Sequence, residues 1–296
     1  MASLEKKHAT GWLLTSPYVL YAMIFFAVPV VWSIILMFTE WNLISPERTY
    51  VGLSNFFEAL QSPRVWNAFF VTYKFLIIFV PIVIALSIVL AVIINSIPRF
   101  KQFFAVGYFT TYLASGVAVS HVVSGFVGYQ SPLNTFLRQV SGSSPDWLGE
   151  PWLATFVVSA MLIWKFSGYY TLIFLAGLQG IPQIFYENAE LAGAGPWQKF
   201  WHITFPLLYP SFYTVLVLAS GITFTIFTEP FVLTGGGPQL ATQTWQLEIY
   251  YQAFERYRAG YGATVALINA VVTFASIALI RGGARAWGRR VGFEEA

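Results

Sequence analysis

Three residues charged at neutral pH lie inside long apolar stretches of this 296-residue chain: Lys74, Lys165 and Glu229. A charge at the centre of a bilayer costs roughly 2.5 to 3.5 kcal/mol on insertion scales, and each Val, Leu, Ile or Phe returns about 0.3 to 0.6, so one charge per stretch is tolerable. Lys74 is expected near the end of its stretch, where its long stem snorkels to the interface. Glu229 sits near another end, beside Pro230. It reads either as a solvated helix end or as a gate or substrate contact. Lys165 falls mid-stretch and must face protein or a watery cavity. At helical spacing Leu162, Lys165, Phe166 and Tyr169 form one stripe, and Ser220, Thr223, Phe224 and Phe227 form another. Aromatic faces beside hydroxyl-bonding groups suit a sugar. Ordinary helix packing is the competing use of the same stripes. His121 and Asn269, also mid-stretch, are expected to be interhelical hydrogen-bond partners.

Hydrolytic or metal chemistry finds little support. Asp146 is the sole aspartate among 13 acidic residues, His8, His121 and His202 are scattered, and there is no cysteine. Carboxylate dyads, thiolate nucleophiles, disulfides and metal clusters are therefore not expected, and no metal or cofactor site is assigned. None of the six lysines follows a glycine, so the phosphate-cradling GxxxxGK[ST] pattern cannot occur. Any ATP chemistry must come from another chain. A net charge of +3, widely spread, gives no reason to expect nucleic acid.

The elements that must position these residues are membrane spans. With 57% hydrophobic and 10% charged residues and a mean hydropathy of +0.64, the chain reads as an all-α integral membrane protein. Six apolar runs are long enough to cross: 11–38, 68–94, 103–127, 152–178, 207–233 and 261–280. The first is too long for a signal-peptide core and is read as retained, with Pro17 and Pro29 as kink sites. Six crossings put both termini on one side. That side carries Lys6, Lys7, Arg99, Lys101, Lys199, Arg281, Arg285, Arg289 and Arg290, against Arg48, Arg64, Arg138, Arg256 and Arg258 opposite. The bias places the tails, 1–10 and 281–296, in the cytoplasm. In the fifth loop the run Gly235, Gly236, Gly237 and Pro238 stops a helix, after which Leu247, Tyr250, Tyr251 and Phe254 predict a short amphipathic helix at the outer interface. Aromatic anchoring there and docking of an outer partner both remain open.

The loop 182–206 is punctuated as a helical hairpin. Pro182 suits a first helical turn, Gly193 and Gly195 supply a left-handed stop, Pro196 restarts the helix, and Pro206 begins the fifth span. Glu187 and Glu190 share a face, while Ile184, Phe185, Ala189 and Ala192 offer a small apolar surface. Such a hairpin fits a shallow groove on a cytoplasmic partner, though an amphipathic connector would show the same pattern.

Glu187, Ala189 and Gly193, followed by Ile203 and Pro206, resemble the EAA signature of ATP-binding-cassette importer permeases. The stretches YVGLSNFFEAL from Tyr50, LIFLAGLQGIP from Leu172 and LTGGGPQLATQT from Leu233 are similar to carbohydrate permeases of the maltose and glycerol-3-phosphate type. Asn188, Ala192 and Phe205 depart from the usual signature. The resemblance implies a type I permease core whose coupling helix docks into a cleft on the nucleotide-binding subunit. It also implies a second homologous permease, two ATPase subunits holding ATP and Mg, and a periplasmic or lipid-anchored sugar-binding protein. Such a permease performs no chemistry itself and moves a sugar inward by alternating access. An ion-driven secondary transporter is the rival reading, although such proteins usually carry more intramembrane acidic residues than the lone Glu229. A membrane enzyme lacks a visible nucleophile.

Overall fold

A computed structural model describes residues 2–290 and 292, excluding the side chains of residues 2–10 and 290. The tail charges Lys6, Lys7 and Arg290 lie outside the described side chains, and residues 291 and 293–296 of the basic tail lie outside the described residues. Helix α1 (Ala2–Ala22) passes through a π turn, Met23–Ala27, into α2 (Val28–Met37). Pro17 leaves α1 unbroken, whereas the widened turn falls just ahead of Pro29, with the Val28 N–H bonded to the Met23 carbonyl. A π turn absorbs the mismatch where proline removes a rung of the ladder. A two-rung ribbon, β1 (Thr39–Glu40) with β2 (Thr49–Tyr50), and the short α3 (Ser54–Gln61) lead to α4 (Pro63–Ser96). At 34 residues α4 is about 51 Å long, well beyond a hydrocarbon core.

The third predicted span is two helices, α5 (Lys101–Leu113) and α6 (Gly116–Val127). With α7 (Pro132–Ser141) carried along, the chain bends by 92° at the break. Helix α8 (Pro151–Gln179) is straight enough to cross alone. After it come α9 (Ile184–Leu191), α10 (Pro196–Lys199), a π turn at Phe200–Thr204, α11 (Phe205–Leu207) and α12 (Tyr209–Thr223). The fifth predicted span, 207–233, is corrected: α12 ends at Thr223, residues 224–227 are irregular, and α13 (Thr228–Thr234) is a separate helix. Pro230 in the first turn of α13 suits a helix start and not a helix interior. Helix α14 (Trp245–Tyr250), a π turn at Tyr251–Glu255 and α15 (Ala259–Arg290) complete the order. Four helices are long and apolar enough to span by themselves, and the count reaches six when each bent pair is taken as one span. The expected stripe after Trp245 does not form one face. Leu247 is fully buried while Phe254 is exposed, because the π turn adds a residue per turn and rotates Phe254 out of register.

The chain divides into two compact units. In the first, Asn55 donates from Nδ2 to the carbonyls of Met37 (2.9 Å) and Thr39 (3.0 Å), tying α3 to the end of α2. Arg258 grips Glu58 through two bonds of 2.8 and 2.6 Å, and this pairing raises its pKa above the ordinary guanidinium value. In the second unit, Phe75, Phe79, Val83, Leu162, Phe174 and Val215 of α4, α8 and α12 form a fully buried core. Gly168 lets α8 meet α5, since a Cβ there would lie 2.0 Å from the Tyr108 carbonyl oxygen.

Candidate functional site

The hairpin after α8 is present, with two changes from its sequence reading. Gly193 is left-handed (φ +78°) and ends α9, its N–H bonded to the Glu190 carbonyl at 2.9 Å. Gly195 is extended instead (φ −72°, ψ 168°) and caps α10, with its N–H donated to Gln198 Oε1 at 2.9 Å. Pro182 lies two residues ahead of α9, and Pro206 sits within α11 behind a π turn in which the Phe205 N–H bonds the Phe200 carbonyl. The straight run of the fifth span therefore starts at Tyr209.

Within the hairpin Lys199 Nζ binds Glu190 Oε1 at 2.8 Å, and Tyr186 and Thr204 share a hydroxyl bond of 3.0 Å. Glu190 is thus paired with the second arm while staying exposed, and Glu187, one turn earlier on α9, is the exposed carboxylate with no ion pair among the described residues. Ala189, Gly193 and Ile203 line one concavity of about 370 Å³ together with Gln198, Lys199 and His202. Small side chains at Ala189, Ala192 and Ala194 keep it open, and a larger residue at any of them would fill it. Behind it Trp197, Phe200, Trp201 and Phe205 stack as an aromatic cluster that faces α4 across an apolar groove.

The second candidate region is where the bend between α5 and α6 meets the start of α13, just after the irregular residues 224–227. Lys165, mid-way along α8, places Nζ 2.9 Å from Oε1 of Glu229 in the first turn of α13. Their side chains are 12% and 7% exposed, so Glu229 is not a solvated helix end. Gly116 opens α6 directly against the pair, and a Cβ there would lie 3.1 Å from both charged atoms. The carboxylate consequently rests at the N-terminal end of α6, where a negative charge is favourable. Sixty-four residues separate Lys165 from Glu229. No local pattern could have paired them, though a mid-span cation and a lone span carboxylate are natural partners.

The other stripe residues face the protein in this conformation. Leu162, Ser220, Thr223 and Phe224 are essentially fully buried. Phe166 packs edge-on to Phe79, and Phe224 lies edge-on to Tyr73. Thr223 returns its hydroxyl to the Ala219 carbonyl, and the buried Ser220 hydroxyl has no hydrogen-bond partner among the described residues. Tyr169, stacked on Tyr112 at 4.7 Å, and Phe227, stacked on Phe231 at 5.1 Å, are only partly buried. Lys74 does not snorkel: Nζ donates to the Ala241 carbonyl (2.7 Å) and Thr155 Oγ1 (3.0 Å), pinning the loop after α13. His121 is exposed, whereas Asn269 is buried.

Residues 51–291 match the family described as binding-protein-dependent transport system inner membrane component. The chain belongs to this family. It is a multi-pass membrane permease component, and neither an enzyme nor an ion-driven transporter is the reading its family supports. Among curated relatives, the trehalose/maltose transport system permease protein MalF of Thermococcus litoralis is 32% identical, over 89% of this chain and 88% of the relative. The arabinooligosaccharides transport system permease protein AraP of Bacillus subtilis is 30% identical, over 90% and 85%. A chain of a bacterial ABC transporter involved in import of the acidic polysaccharide alginate superposes with a TM-score of 0.82. It covers 96% of this chain and 99% of its own at 22% identity, so the likeness concerns the permease fold.

Proposed function

We propose that this permease is one of two homologous membrane subunits of an ATP-driven sugar importer, most naturally for a di- or oligosaccharide. The relatives' names point to saccharides. The observation that carries the coupling half is the hairpin: an exposed Glu187 on α9, and a concavity lined by Ala189, Gly193 and Ile203 between two arms tied by the Lys199–Glu190 bond. That shape suits insertion into a cleft of a separate ATPase subunit, with Pro206 and the π turn before it joining the hairpin to α12. Two such ATPases would hold ATP and Mg, and a binding protein on the opposite face would deliver the sugar. Arg281, Arg285 and Arg289 at the end of α15 support a cytoplasmic C-terminus by the positive-inside bias. The mid-membrane wall of the path would be built from the breaks at Ser115 and 224–227, since discontinuous helices supply transporter binding sites.

Purification of the tagged chain from its native membrane tests the reading. An ATPase subunit should co-elute with the wild type and be depleted from Glu187→Ala and Gly193→Val preparations of unchanged helical content. Equal co-elution of the variants, or none with the wild type, removes the coupling claim.

A further inference from the structure

We infer that Glu229 is a specificity-determining residue: by neutralising Lys165 it restricts this wall of the path to uncharged sugars and turns away acidic ones. The inference rests on the sugar-importer reading above. Lys165 is the cation nearest mid-span, and its Nζ lies 2.9 Å from Glu229 Oε1. Both side chains retain some exposure, 12% and 7%, so the pair is not fully sealed in the core. Among the described residues Glu229 Oε2 accepts no hydrogen bond and Nζ makes one, which leaves an acceptor and N–H donors for sugar hydroxyls. A neutral sugar can use these without separating the charges. A uronate cannot. Its carboxylate would have to displace Glu229 from Lys165, stranding one carboxylate in a poorly solvated site, or approach while Glu229 repels it. Lys74, the other span cation, is engaged by Ala241 and Thr155. The same geometry shows why Gly116 has no side chain, because a methyl there would crowd both members of the pair.

The test is a thermal-shift titration of the purified importer, binding protein omitted, with neutral trisaccharides (maltotriose, cellotriose, arabinotriose) and with trigalacturonate. For the wild type the best neutral sugar should reach half-maximal stabilisation at a concentration at least tenfold below that for trigalacturonate. Glu229→Gln frees the Lys165 charge and should narrow that ratio roughly tenfold, since an uncompensated charge in a partly buried site acts strongly on an anion. The double variant Lys165→Gln/Glu229→Gln, neutral again, should restore the wild-type preference, an effect that a purely structural role would not produce. Equal binding of trigalacturonate by the wild type, or an unchanged ratio in Glu229→Gln, overturns the inference and leaves the importer reading standing. Absence of stabilisation by any saccharide in the wild type counts against the sugar reading itself.

Discussion

Separating Lys165 from Glu229 should destabilise the membrane domain far more than deleting both. At 2.9 Å and an effective dielectric constant of about 20 the gross attraction is roughly 6 kcal/mol, most of it offset by the cost of desolvating two charges. Lys165→Met keeps the stem volume but leaves a carboxylate only 7% exposed without its cation. Removing one partner of such a pair costs about 3 to 5 kcal/mol. Glu229→Gln should lie at the lower end, because the amide still accepts from Nζ. The double variant Lys165→Met/Glu229→Gln strands no charge and should lose about 1 kcal/mol, giving a coupling of roughly 5 to 7 kcal/mol. For a protein of this size each kcal/mol moves the unfolding midpoint by about 2 to 4 °C, so the single variants should unfold about 6 to 20 °C below the wild type. Intrinsic fluorescence during thermal unfolding in detergent, at one fixed scan rate, reads these shifts. Additive losses, with the double variant as unstable as the sum of the singles, would refute the claim that the charges stabilise each other across α8 and α13.

Gly168→Ala sets a methyl 2.0 Å from the Tyr108 carbonyl oxygen, so α5 and α8 must part. A loss of about 1 to 3 kcal/mol or more is expected, read as a lower unfolding midpoint and a broader size-exclusion peak. Lys74→Met leaves the Ala241 carbonyl without its charged donor, and release of residues 235–244 should appear as faster limited proteolysis there at a cost of about 1 to 3 kcal/mol.

Apolar length made the spans legible. The cores of α4, α8 and α15 follow directly from runs that cannot be solvated, and the hairpin follows from Gly193 and Pro196. The two helix breaks were harder. Residues 224–227 read Phe-Thr-Ile-Phe, with no helix breaker among them, and only Pro230 hints that a new helix starts nearby. Ser115 and Gly116 mark the other break, but their signal is weak inside an apolar run where lipid removes the usual alternation. The Lys165–Glu229 pair and the Lys74 anchor depend on contacts between residues far apart in sequence. Glu190 looked like a second free carboxylate beside Glu187, and only the fold shows that Lys199 claims it.

Uptake of radiolabelled oligosaccharide into liposomes tests the central claim most directly, comparing the lone chain with the full assembly of second permease, ATPase subunits and binding protein. The account predicts uptake only by the full assembly and only with ATP and Mg present. Concentrative uptake by the lone chain under an ion gradient, without ATP, would contradict it.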